Sequence, residues 1–102
     1  MYIILWEFIA REEWVAEFEA VYGPDGKWAR LFAESPGYRE TRLLRDTTDP
    51  LRYVTLDFWE SGAAHDEFRR EHEAGYQELD KRCARLTRRE TRMGAFETST
   101  NR

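Results

Sequence analysis

Helices packed on one face of a four-stranded antiparallel sheet, an α+β domain, is the fold that this 102-residue sequence predicts. Four short stretches alternate apolar and polar residues with the period of a strand. Two longer stretches carry apolar residues at steps of three and four, the period of a helix. Their order along the chain is strand, helix, strand, strand, helix, strand, the ferredoxin-like β-α-β-β-α-β arrangement.

The first strand is "YIILWEFI", residues 2–9. Tyr2, Ile4, Trp6 and Phe8 share one side of it, and Ile3, Leu5, Glu7 and Ile9 share the other. Both sides are greasy. Trp14, Phe18, Val21 and Tyr22 then recur at helical spacing until Gly23-Pro24 interrupts them. A second short helical stretch surrounds Trp28, Leu31 and Phe32, and Ser35-Pro36-Gly37 ends it. The first helical layer is therefore expected in two pieces.

Period two returns from Tyr38 to Arg45 and from Arg52 to Trp59, with Asp46 to Pro50 composed like a hairpin loop. On the second of these strands Val54, Leu56 and Phe58 share one side, while Tyr53, Thr55, Asp57 and Trp59 share a more polar one. Ser61 suits an N-cap for one long helix, with Asp66 and Glu67 early and Lys81, Arg82 and Arg85 late, as the helix dipole favours. Its stripe runs Ala64, Phe68, His72, Tyr76, Leu79, Cys83, Leu86. Arg89 to Glu97 alternates again as a fourth strand, in which Gly94 permits close approach of a neighbouring backbone. One domain over residues 1–97 is expected, with a flexible tail over 98–102.

Helices can cover only one face of such a sheet, and the first strand lies in its middle. Ile3, Leu5 and Ile9 would then form an exposed apolar patch, so a second copy of the chain is the expected cover, as a homodimer. Glu7, Asp57, Arg42 and Arg92 are expected near that interface, where opposite charges would pair.

Composition bounds the rest. Charged residues make up 35% and aromatics 15%, which suits a soluble globular chain with strongly amphipathic elements. The net charge of -4 gives no basic field for nucleic acid. Cys83 is alone, so no internal disulfide or CxxC site is available. The first strand lacks a basic leader and reaches Glu7 too early for a signal peptide or a membrane span. A cytoplasmic protein with no membrane partner is the expectation.

Four phrases resemble the antibiotic biosynthesis monooxygenase family of the dimeric α+β barrel superfamily: "LWEF", "GYRETRLLRD", "YVTLDFWES" and "LTRRETRMGAFE". The resemblance spans about residues 1–97 and is one of pattern at strand and helix junctions. It implies a homodimer with a small pocket in each protomer between helices and sheet. Members include cofactor-independent oxygenases of polycyclic aromatics and haem-degrading enzymes, both relying on an Asn, a Trp and a basic or imidazole side chain. Here the one Asn is Asn101, Glu7 stands in the first strand, and Phe68 falls near the helical Trp of the haem-degrading branch. His72 alone matches by type. No haem chemistry and no cofactor are expected.

His72 is the sharpest local signal, because an imidazole that interrupts an apolar stripe can act as a general base near neutral pH. The ordinary alternative is a partly buried histidine bonded to a neighbour. With His72 as catalytic base, Trp6, Trp28, Phe68, Tyr76 and Trp59 are the expected walls of a site for a small aromatic or quinone-like substrate. His65 lies seven residues before His72, about 10 Å along a helix, too far for joint metal ligation. No metal is expected. Arg82, Arg85, Arg88, Arg89 and Arg92 are interleaved with acids and read as a solvated helix end. Cys83 reads as a small hydrophobe, and phosphate loops, serine-hydrolase elbows and zinc-protease motifs are absent. The sequence leaves two further roles open beside an oxygenase: a dimeric binding protein without turnover, and a structural partner in a larger assembly.

Overall fold

The computed structural model of the chain describes residues 1–99. The strands are β1 (Tyr2–Ala10), β2 (Tyr38–Arg45), β3 (Arg52–Trp59) and β4 (Thr87–Glu97). The helices are α1 (Val15–Tyr22), α2 (Lys27–Phe32), α3 (Gly62–Glu71) and α4 (Glu73–Cys83), with 3₁₀ turns before α1 and after α4. All strands are antiparallel in the order β2-β3-β1-β4, so β1 lies in the interior of the sheet. This is the ferredoxin-like α+β arrangement. No helix is long and apolar enough to cross a membrane among the described residues. Thr98 in the expected tail bonds to the Met1 carbonyl at 3.0 Å, and residues 100–102 of that tail lie outside the described residues.

The strand faces divide as a two-residue period requires. On β1, Ile4, Phe8 and Ala10 are buried beneath the helices, while Ile3, Leu5, Glu7 and Ile9 stay partly exposed. On β3 the buried set is Tyr53, Thr55, Asp57 and Trp59. The more polar side of this strand is thus the one the helices cover. Trp59 and Tyr53, each 1% exposed, supply bulk at its two ends, and Thr55 and Asp57 stand between them.

That phase corrects the expected charge cluster at the open face. Asp57 alternates with Leu56 and Phe58 and so faces the helices, and Arg92 does the same opposite Trp6. Glu7 and Arg42 do lie on the open face. There Glu7 bonds Arg52 at 2.6 Å, and the Arg42 guanidinium sits over the Phe58 ring at 5.2 Å. Leu44 and Phe96 are more than half exposed at 51% and 52%, and with Ile3, Leu5, Leu56 and Phe58 they make this face apolar. Gly94, opposite Leu5, has φ of 146° beside a register shift in the β1–β4 pairing. That backbone region favours glycine.

The long helix expected after Ser61 is two helices. Ser61 caps α3 through its hydroxyl, which accepts from the Ala64 amide at 3.1 Å. The chain then leaves helical geometry at His72 (φ -121°, ψ 24°), and α4 begins at Glu73. Neither proline nor glycine stands at the break. The spacing of the stripe accounts for it: Ala64, Phe68, His72 and Tyr76 advance by fours, and at 3.6 residues per turn each step drifts by about 40°. A straight helix would carry Tyr76 off the core that Phe68 faces. With the break, Phe68 packs on Phe32 (5.5 Å between ring centroids) and Tyr76 on Trp28 (4.9 Å). Trp28 and Phe32 are one turn apart on α2, so one short helix meets both.

Candidate functional site

A cavity of about 240 Å³ lies between the sheet and the helices. Its floor is the covered face of the sheet, with Trp6 and Phe8 from β1, Thr41 from β2, Thr55 and Asp57 from β3, and Glu90 from β4. Its roof is Tyr22, Trp28 and Phe32 from the first helical layer, Arg69 from α3, and Tyr76 and Asp80 from α4. The walls are largely aromatic because alternate residues of β1 and the apolar faces of α1 and α2 are aromatic. Such a lining with a few polar groups suits a small organic ligand.

Asp57 is the group that most needs explaining. It is 8% exposed, with no ion-pair partner among the described residues. Its Oδ1 accepts from the Thr41 hydroxyl at 2.7 Å, and the Tyr38 hydroxyl lies 2.7 Å from the same Thr41 oxygen. Since Thr41 has one hydrogen to give and Asp57 receives it, Tyr38 donates to Thr41. A directed chain from Tyr38 through Thr41 to Asp57 results. Burial pushes the Asp57 carboxyl up from the ordinary 3.8 to about 6, and the Thr41 hydrogen bond opposes part of that rise.

The other titrating groups of the lining follow the same physics. Burial raises the Tyr76 hydroxyl, and the Arg69 guanidinium, 3.8 Å from the Tyr76 ring centroid, opposes the rise. Arg69 also bonds Glu73 at 3.1 Å. Burial, then the Asp80 carboxylate, raises Glu90. Burial drives the Tyr22 hydroxyl and the adjacent Cys83 thiol upward as well, which leaves Cys83 a poor nucleophile.

Of the residues expected from sequence, Trp6, Trp28 and Tyr76 stand in the cavity lining, and Phe68, Trp59 and His72 stand outside it. Phe68 and Trp59, each 1% exposed, are one layer behind Phe32, which touches both at 5.5 Å between centroids. His72 sits at the α3–α4 break, stacked on Phe68 at 5.0 Å, with Nδ1 3.4 Å from the Glu34 carboxylate. The break turns its ring toward the end of α2 and away from the floor. His65 packs on Trp59 at 5.1 Å, and burial lowers its pKa. Among the described residues no group of three or more His, Cys, Asp or Glu is placed to hold a metal ion.

Thr41, Asp57, Arg69, Asp80 and Glu90 are lining residues that the sequence reading did not select. For Asp57 a signal existed: it is an acid in phase with Tyr53 and Trp59, the two bulkiest residues of its strand. The others carry none, since their meeting depends on how four strands and four helices pack.

Comparison with known proteins agrees with this geometry. The family model described as antibiotic biosynthesis monooxygenase matches residues 1–76. Among solved structures the chain is similar to SnoaB, a cofactor-independent oxygenase from Streptomyces nogalater. The TM-score is 0.78 at 22% identity, over 98% of this chain and 94% of that one. It is similar also to a candidate antibiotic biosynthesis monooxygenase from Deinococcus radiodurans (TM-score 0.77, 15% identity, 99% and 95% covered). A third similar structure is PA3566 from Pseudomonas aeruginosa (TM-score 0.68, 13% identity, 97% and 94% covered). No match is found among curated proteins. At these identities the structural likeness speaks for the fold.

Proposed function

Because the chain belongs to the antibiotic biosynthesis monooxygenase family, we propose that it is a cofactor-independent oxygenase acting on a small aromatic or quinone-like molecule in the cavity between sheet and helices. The observation that carries this reading is one small space with aromatic walls and a single deeply buried carboxyl on its floor. SnoaB, similar in fold, is a cofactor-independent oxygenase.

The chemistry needs a base, a dry cavity and a substrate that holds its own electrons. A hydroxylated aromatic loses its hydroxyl proton, and the resulting anion passes one electron to O₂. The radical pair combines to form a C–O bond, and the hydroperoxide so formed loses water to leave a quinone. One oxygen atom stays on the ring as the new carbonyl. The other departs as water with the two hydrogens the substrate gives up, so the substrate supplies every electron. Two side chains offer the base: His72 behind the roof and Asp57 on the floor.

The functional unit in this reading is a cytoplasmic homodimer joined through the open sheet face. Support comes from the apolar stripe Ile3, Leu5, Leu56, Phe58 and Phe96, which the helices leave uncovered.

Oxygen uptake by the purified protein with hydroxynaphthalenes and a metal chelator present, with isotopically labelled O₂ followed into the product by mass spectrometry, tests the proposal. A quinone carrying one labelled atom is expected. No uptake above the protein-free rate would overturn it. A second reading, a dimeric binding protein without turnover, draws on the fact that His72 and Asp57 do not meet around one space. It predicts ligand binding with no uptake, and His72→Gln then changes neither.

A further inference from the structure

We infer that Asp57 is the proton acceptor of the cavity, and that the ligand it serves is a neutral aromatic presenting a hydroxyl or N–H rather than an anion. This rests on the cavity being a ligand site, as proposed above, and not on the oxygen chemistry.

The first support is the unfinished hydrogen bonding of the carboxyl. Oδ1 is occupied by the Thr41 hydroxyl, which Tyr38 in turn orients. Oδ2 has no hydrogen-bond partner among the described residues, and Asp57 forms part of the cavity floor. A carboxylate oxygen without a donor in a poorly solvated space is costly, and a ligand O–H or N–H is the group that removes the cost. Thr41 and Tyr38 fix the angle at which the free oxygen is offered.

The second support is the charge of the lining. Asp57, Asp80 and Glu90 bring three carboxyls to it, against one cation, Arg69. Arg69 is partly engaged, with its guanidinium over the Tyr76 ring and a terminal nitrogen bonded to Glu73, while its buried Nε has no hydrogen-bond partner among the described residues. An incoming carboxylate would meet three carboxyls in a poorly solvated space, against one cation already shared with Glu73 and the Tyr76 ring. A neutral donor meets none of this resistance.

The proton step is balanced within the complex. The ligand O–H bond breaks, its electron pair stays on the ligand oxygen, and the proton bonds to Oδ2, leaving a phenolate and a neutral Asp57. No oxidant or reductant enters. Burial, by raising the Asp57 carboxyl to about 6, brings it nearer the phenol range than an ordinary carboxylate would be.

Calorimetric titration of the full chain in neutral buffer with 2-naphthol, 2-methoxynaphthalene and 2-naphthoate tests the inference. The methyl ether keeps the rings of the naphthol and loses only its donor. The naphthol is expected to bind about tenfold tighter than the ether or better, the worth of one hydrogen bond to a charged group. The naphthoate is expected to bind weakest. Asp57→Asn keeps the shape and removes the charge, so it should shrink the preference for the naphthol and strengthen naphthoate binding, a reversal that a merely structural aspartate would not produce. An ether that binds as well as the naphthol, a naphthoate that binds tightest, or no binding by any of the three overturns the inference. Naphthol held through Asp57 without oxygen uptake sustains it while sinking the oxygenase reading. Oxygen uptake left unimpaired by Asp57→Asn sinks it while sustaining that reading.

Discussion

Asp57 shows how one residue's environment reverses its usual contribution. Its carboxyl titrates near 6 in the folded protein against 3.8 ordinarily, so the folded state holds its proton more tightly than the unfolded chain does. The resulting stability is fully present below the unfolded value and is lost as pH rises through the folded one. Asp57→Asn removes the buried charge and should be more stable than the natural chain above that window, by up to about 3 kcal/mol, since each tenfold change in proton affinity is worth about 1.4 kcal/mol. Urea unfolding across the window checks the sign. The advantage of the variant should grow from about pH 4 to about pH 6 and then level off. An advantage that is independent of pH would show that Asp57 does not titrate as its burial demands.

The elements show where local pattern suffices. Both hairpin strands, Tyr38–Arg45 and Arg52–Trp59, match their expected ranges, and Ser61 caps the following helix as its side chain and position imply. Ser61→Ala should cost about 1 kcal/mol, the worth of an N-cap, measured as a shift of the denaturation midpoint. The single long helix of the sequence reading is two because a stripe advancing by fours cannot remain on one straight face. Phe68 anchors the first of the two against Phe32, Trp59 and His72. Phe68→Ala should cost about 3–5 kcal/mol by opening a void in packed aromatics. Calorimetric melting would detect it, and a loss much below that range would mean that α3 is held chiefly by its other contacts.

At the scale of the molecule, helices on one side leave an apolar sheet face on the other, edged by the Glu7–Arg52–Asp46 ion pairs. Leu5, central on that face and opposite Leu56 and Gly94, contributes little to the core beneath the helices. The natural chain is expected to sediment as a dimer at micromolar concentration and Leu5→Glu as a folded monomer, since a carboxylate there would be buried unpaired on association. Unchanged sedimentation of the variant would remove the open face as the interface.

By itself the sequence determined the order and type of the elements, the two-faced character of β1, and the aromatic supply of Trp6, Trp28 and Tyr76, because periodicity and turn chemistry are local properties. The tertiary structure alone decided the site. Asp57, Thr41, Arg69, Asp80 and Glu90 come from five separate elements, and only the pairing of strands and the angle of helices brings them around one space. His72 and Phe68 belong to the same stripe as Tyr76, yet a break in the helix, a response to packing rather than to any breaker residue, places them outside the cavity. A polar side chain's consequence is set by its distance from water and from other charges, and no spacing along a chain encodes that distance.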